Sequence, residues 1–281
     1  MTDLSNPRDY YAFPAVGSSA VIDWLEDEKR GSFDTWRARY VYLPRLDARR
    51  SRGDYSAPLG QVKIWELARR ESSLSMRAGS MIEARLFSEG SLDEWEHASE
   101  DATPDERAEA KDKAAAIAAC CPTVRALRGM VDKGAARTQV AEVAFVESVP
   151  CKSRQDLVWR SGEVLVETDL KIYTQWHDAR SLWWRIKDRR AMIQRAHYEN
   201  IREANHPGEA LASSMLVVNP GGSGQLPFER MVPRADDGTD EVRREADRYD
   251  EEMAAAKIEV SRALRGIKEL LSENMEARIV A

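Results

Sequence analysis

Hydrophobic and polar positions change rhythm along the chain. Through about residue 134 the apolar residues recur at helical spacing. Ser18 or Ser19 caps a helix through AVIDWLEDEKR, which Gly31 stops. A second helix covers FDTWRARYVYL, and residues 62–88 and 91–98 are helical by the same pattern. Thr103-Pro104-Asp105-Glu106 reads as a capping box with proline at the first helical position. It opens an Ala-rich helix to about Cys120, and Pro122 starts another that ends near Gly134. From Thr138 the period becomes two, as a strand requires: TQVAEVAFVES. Residues 150–171, PCKSRQDLVWRSGEVLVETDLK, then read as two strands joined by a turn at Ser161-Gly162. A helix runs from about Asp178 to just before Pro207, with a possible break at 187–189. SSMLVVNP and PFERMVPR are two further strands around the turn GGSGQ. Residues 239–276 form a long charged helix with apolar positions at Met253, Ile258, Val260, Leu264, Ile267 and Leu271.

The expected architecture is therefore α/β and a single domain over 1–281. It comprises an irregular arm at 1–17 and a mainly helical part at 18–134. A sheet core at 138–233 contains the helix 178–205, and the terminal helix 239–276 follows. Residues 44–60 form a polar, Arg-containing loop, which is either solvated or a DNA contact.

The hairpin carries the chemistry. With the turn at Ser161-Gly162, Arg160 pairs with Glu163 and Asp156 lies opposite Glu167. Asp156, Glu167, Asp169 and Lys171 then share one face, because side chains alternate and cross-strand partners sit together. Leu157, Trp159, Val164, Val166, Thr168 and Leu170 supply most of the other face. Carboxylates gathered this way repel one another unless a cation lies between them. Oxygen ligands favour Mg²⁺, Mn²⁺ or Ca²⁺ over zinc or copper. In the helix before, Gly79 costs about 1 kcal/mol relative to Ala, a cost tolerated where something packs against the backbone. Glu83 stands one turn later on the same face, either a ligand or a surface residue. Glu142, on the first strand, either supports the site or is a surface carboxylate. Gln194 and Tyr198 are one turn apart on a helix rich in arginine and tryptophan, which reads equally as a phosphate-contacting surface or an ordinary solvated face.

Composition narrows the partners. A net charge of −6 over 281 residues argues against a globally basic coat for nucleic acid, while leaving room for a local basic cleft. The three cysteines, Cys120, Cys121 and Cys151, make neither a disulfide framework nor a four-thiolate metal site, which points to a reducing, cytoplasmic compartment. No signal peptide is evident and no uncharged run reaches membrane-spanning length, so no membrane association is expected.

Four elements in order, AGSMIE, SRQDLVW, ETDLK and QRAHY, resemble the GxxxH/E, GxxD-like, (D/E)xK and QxxxY motifs of the RecB-like branch of PD-(D/E)xK nucleases. Within that branch the chain is most similar to the RecE-type and phage (lambda-type) exonucleases. The entry segment DYYAFPAVGSSAVIDWL and the strands VAEVAFVES, CKSRQDLVW and VLVETDLK share the likeness, which spans roughly residues 9–270. The resemblance implies a restriction-endonuclease-like core, a central mixed sheet flanked by helices. It also implies a catalytic set of Asp156, Asp169, Lys171 and Glu83. Glu83, Asp156, Asp169 and the backbone carbonyl of Leu170 would be the metal ligands for Mg²⁺ (or Mn²⁺). The expected DNA-binding residues are Gln194, Tyr198, Arg154, Arg185, Arg189 and Arg190. Glu83 stands where RecE-like members carry His and the lambda type carries Glu. Gln155 replaces the usual Pro, and Ile172-Tyr173 the usual Thr pair.

The implied activity is exonucleolytic hydrolysis of linear double-stranded DNA, 5′ to 3′, yielding single strands for recombination or annealing. The implied partners are double-stranded DNA ends and a single-strand annealing protein, and the implied assembly is a homo-oligomer, trimer or tetramer. Lys171 is expected to orient or deprotonate water, with a pKa lowered by burial or the metal. Two other readings stand beside this one. The first is an endonuclease or single-strand nuclease of the same fold, acting in repair or defence. The second is a non-catalytic DNA-binding protein on that fold.

Overall fold

The structure, a computed structural model, describes residues 15–33, 36–37, 40–42, 74–87, 92–173, 189–221, 226–232, 240–273 and 278–279. In chain order these form α1 (Ser18–Arg30), β1 (Val41–Tyr42), α2 (Leu74–Phe87), α3 (Leu92–Ser99), α4 (Pro104–Cys120), α5 (Pro122–Asp132), β2 (Ala136–Val146) and β3 (Val149–Ser161). There follow β4 (Val164–Ile172), α6 (Arg189–Asn205), β5 (Leu211–Asn219), β6 (Phe228–Val232), α7 (Asp240–Glu273) and β7 (Arg278–Ile279).

A five-stranded mixed sheet runs in the order β2-β3-β4-β5-β6. Neighbours are antiparallel except β4 and β5, which are parallel. Parallel neighbours need a long crossover, and α6 lies in the connection between them. Along β5 the run Met215-Leu216-Val217-Val218 is fully buried, as expected of a strand covered on both faces. Met215 and Val217 join a core with Val21, Trp24, Ile193, Ile201, Val260 and Leu264, from α1, α6 and α7. Leu216 and Val218 join the opposite core with Met81, Ile82, Leu86, Ile117 and Val124, from α2, α4 and α5. Helices thus flank both faces, and the apolar alternation read along β3–β5 is what assigns them.

Local signals held at several ends. The Thr103 hydroxyl accepts from the Glu106 amide at 3.2 Å and the Glu106 carboxylate accepts from the Thr103 amide at 2.7 Å, closing the capping box. Gly31 ends α1 in the left-handed region at φ 70°. The start of α1 differs from expectation. Its N-cap is Gly17, with no side-chain cap bond, because Ser18 and Ser19 are already helical. The helix expected over 33–43 does not extend through Val41 and Tyr42, which pair as β1 with β7. On α7, Ile258 is 69% exposed while Leu270 is buried, so the buried stripe turns away from position 258. Expectations over 1–14, 43–73, 174–188, 222–225 and 233–239 lie outside the described residues.

The helix pairs lean on particular contacts. Trp24 stacks on Phe33, with ring centroids 4.2 Å apart, and meets Trp36 edge-on at 5.0 Å. The Trp36 indole donates to the Ala20 carbonyl at 2.7 Å. α7 approaches Trp24 through Gly266, where an added Cβ would stand 2.7 Å from Trp24 Cζ2. Gly79 is different: nothing lies within 4 Å of where its Cβ would be. Close packing does not explain that glycine.

Candidate active site

The β3–β4 turn sits one residue later than the sequence suggested. Ser161 pairs with Val164, so the turn residues are Gly162 and Glu163. Gly162 has φ 59°, the positive value that a II′ turn requires at its first central position, and glycine supplies it without strain. Moving the turn by one shifts the pairing by two, so each residue changes partner but keeps its face. Val158, not Asp156, stands opposite Glu167.

Pairing between β3 and β4 ends at Leu157–Thr168, and Asp156 is the first residue beyond it. There the strands part, and Asp156 Oδ2 accepts the backbone N–H of Leu170 at 2.8 Å. Polar side chains gather where that pairing ends. Asp169 is 3% exposed, and its Oδ1 accepts from Lys171 Nζ at 2.9 Å. Its Oδ2 is buried without a hydrogen-bond partner. From α2, Glu83 reaches the same place, close enough for the charges of Lys171 and Asp169 to act on it and for its own charge to act on Asp156. Gln139, on β2, donates from Nε2 to Glu83 Oε1 at 2.6 Å.

Electrostatics agree with this crowding. Burial, reinforced by Asp169, pushes Glu83 up to about 7, against the pull of Lys171. Burial and then the charges of Glu83 and Asp169 raise Asp156 well above the usual carboxylate range. Burial pulls the Lys171 ammonium down, but Asp169 and Asp156 outweigh it and hold the group above its ordinary range. Burial lowers the lysine as expected, and without a metal the two acids beside it outweigh that effect.

Among the described residues, no group of three or more His, Cys, Asp or Glu side chains stands ready as a metal cage. The reason is visible in the hydrogen bonds. Asp156 is turned to the Leu170 amide, Asp169 to Lys171, and Glu83 to Gln139. The donor set nonetheless suits a hard divalent cation. It offers carboxylate oxygens, one of them buried and unpartnered on Asp169, and acids whose mutual repulsion a cation would relieve.

No family model matches the chain, and neither does any curated protein. A solved structure from Eubacterium rectale, named “Putative exonuclease”, is similar at 20% identity and a TM-score of 0.45, over 73% of this chain and 72% of that one. At that distance the likeness bears on neither activity nor site, which rest on the geometry above.

The remaining expected residues divide. Gln194 and Tyr198 do come to the cluster. Gln194 Nε2 donates to the Tyr198 hydroxyl at 3.3 Å, and burial, then the charges of Asp156 and Asp169, raise that phenol to about 12 despite the bond. Arg154 also lies near Glu83, but its guanidinium pairs with Glu94 of α3. Arg189 pairs with Glu259 of α7 at 2.7 Å. Arg190 pairs with Glu26 of α1 at 3.0 Å. These two tie α6 to its neighbouring helices. Arg185 lies outside the described residues. Glu142 does not support the cluster; it bonds His206 at 3.2 Å and Asn205 at 3.5 Å. Glu167 is fully buried, and burial, then the charge of Asp169, push it up to about 7 against the pull of Arg195 and Arg202. Ser213 donates to its Oε2 at 3.3 Å, and Arg202 lies 3.7 Å from that oxygen.

Three residues escaped the sequence reading. Gln139 carries no motif. His197 is buried with Nε2 3.1 Å from the Val16 carbonyl and 3.2 Å from that of Lys152, and burial drives it down to about 4, so it is neutral. It lies in QRAHY between residues chosen for other reasons. Arg195, fully buried beside Gln194, donates to the Ser214 carbonyl at 2.8 Å and lies over the Tyr249 ring. It read as one more basic surface residue.

Proposed function

We propose that this protein is a divalent-metal-dependent nuclease that hydrolyses phosphodiester bonds at the ends of linear double-stranded DNA. The observation that supports it is the meeting of Glu83, Asp156, Asp169 and Lys171 where β3 parts from β4. Three acids and an amine meet there, Glu83 from a helix and the other three from the β3–β4 hairpin, which follows that helix at a distance in sequence. Glu83, Asp156, Asp169 and the Leu170 carbonyl would hold Mg²⁺ or Mn²⁺. Such an ion, when bound, neutralises phosphoryl charge and lowers the pKa of water.

The chain's own groups have separate tasks. Lys171 Nζ, beside Asp169 and Asp156, donates hydrogen bonds to the phosphoryl oxygens and orients or deprotonates the attacking water. Asp169 fixes that ammonium through Oδ1. Gln194 and Tyr198, linked to each other beside the acids, offer amide and phenol donors to the strand. Arg154 reaches a phosphate by exchanging Glu94 for it. The 5′ to 3′ direction, the supply of single strands to an annealing protein and a ring-shaped oligomer belong to the same proposal, supported by the order of the four motifs alone.

The test uses end-labelled linear duplex and a covalently closed circle, each with Mg²⁺ or EDTA. Label release from the linear substrate in Mg²⁺ alone is expected, with the circle intact. Lys171→Ala should lower the rate by about 10²-fold or more while DNA binding persists, in line with the loss of one transition-state donor. Cleavage by that variant at the wild-type rate would refute the assignment. Cutting of the circle would move the protein to the endonuclease reading.

A further inference from the structure

β2 and β3 keep one register from Ala136–Trp159 to Val146–Val149. Within that run a single step is missing, Gln139 opposite Asp156. The cause is the backbone of Gln139, which sits at φ 50° in the left-handed region. Two other described non-glycine residues share that region, Glu147 at 51° and Ser148 at 63°. Those two form the turn between β2 and β3, where a type I′ turn demands positive φ at both positions. Gln139 has no such excuse. It lies inside a strand, and a non-glycine residue held there is strained unless the surroundings fix it.

What the strain achieves is visible in the side chain. The Gln139 amide, placed opposite the Asp156 position, donates to Glu83 Oε1 at 2.6 Å. It is the neutral donor that holds the Glu83 carboxyl in place where Glu83, Asp156 and Asp169 would otherwise push one another apart. A neutral amide can do this without competing for the cation as another acid would, and without cancelling the charge as a lysine would. We infer that Gln139 is a positioning residue, whose strained backbone aims its amide at Glu83 so that this carboxylate can join Asp156 and Asp169 around a divalent ion. The inference rests on the nuclease reading. Groups that orient metal ligands from behind typically change metal affinity 10–100-fold when removed.

Gln139→Gly separates the two parts of the argument. Glycine adopts φ 50° freely, so the strain disappears together with the amide. In the full-length chain, with EDTA, the variant should melt no lower than wild type. By titration calorimetry with Mn²⁺, its dissociation constant should rise about tenfold or more. In a Glu83→Ala background, adding Gln139→Gly should cost no further affinity, because the amide acts only through Glu83. Mn²⁺ affinity within twofold of wild type in Gln139→Gly, or a second tenfold loss in the double variant, would overturn the inference. Asp156→Asn guards the foundation. If wild type binds Mn²⁺ no better than Asp156→Asn, the nuclease reading falls and this inference with it. If wild type binds and Gln139→Gly binds equally, the inference falls alone.

Discussion

Replacing Glu83 by glutamine should make the metal-free protein more stable above neutral pH. In the folded chain the Glu83 carboxyl is pushed from its ordinary 4.5 to about 7, chiefly by burial and secondarily by Asp169. A raised acid binds its proton more tightly when folded than when unfolded. Its favourable contribution is complete below pH 4.5 and is lost as pH rises through about 7. At about 1.4 kcal/mol per pKa unit, that displacement corresponds to about 3 kcal/mol. Because the side chain is only half-buried, about 1–3 kcal/mol is the range to expect at pH 8. Glutamine suits the site: its carbonyl can accept from Gln139 Nε2, so that amide keeps its partner. Removing the negative charge also relieves Asp156, whose own pKa it raises. The assay is urea unfolding of wild type and Glu83→Gln in EDTA, at intervals from pH 4.5 to 8. The curves should coincide at the acid end and separate with rising pH, the variant being the more stable. Equal stability at pH 8, or a gap that is constant with pH, would refute the idea that like-charge crowding and desolvation dominate this site.

Two helix glycines should respond in opposite directions. Gly79→Ala meets open space and should gain about 0.5–1 kcal/mol by calorimetry or denaturant melting, from helix propensity alone. Gly266→Ala places its Cβ 2.7 Å from Trp24 Cζ2, and Trp24 is clasped by Phe33 and Trp36, so a net loss of about 1–3 kcal/mol is expected. Thr103→Ala opens the capping box of α4 and should cost about 1 kcal/mol in the same measurement.

What could be read from the chain follows from how far each signal reaches. The period-two alternation of β4 survives a misplaced turn, because pairing moved by two and parity was kept; Asp169 and Lys171 were thus assigned to the right face from local pattern alone. The ordered motifs also brought Glu83, 56 positions before Gln139, to the same cluster. Partners were less legible than positions. A basic run on α6 looks the same whether arginines meet solvent, phosphate or the acids of α1 and α7, and Arg189 and Arg190 meet the acids. Glu167 shares a strand face with Asp169, yet Arg202 and Ser213 claim it, since α6 covers that end of β4. Gln139 was invisible because a left-handed residue within a strand leaves no compositional trace when it is not glycine.

The position of β4 has a consequence for the newly made chain. Its antiparallel neighbour β3 is synthesised before it, but its parallel neighbour β5 comes only after α6 has been made. Until α6 folds back and β5 docks, Asp169 and Lys171 lie on an open border with water on one side. A ribosome-bound fragment ending before Leu211 therefore carries every acid of the cluster without the burial that raises Glu83 and Asp156. The complete centre comes into being only once β5 has been made and has docked on β4, and its appearance would report that this crossover has closed.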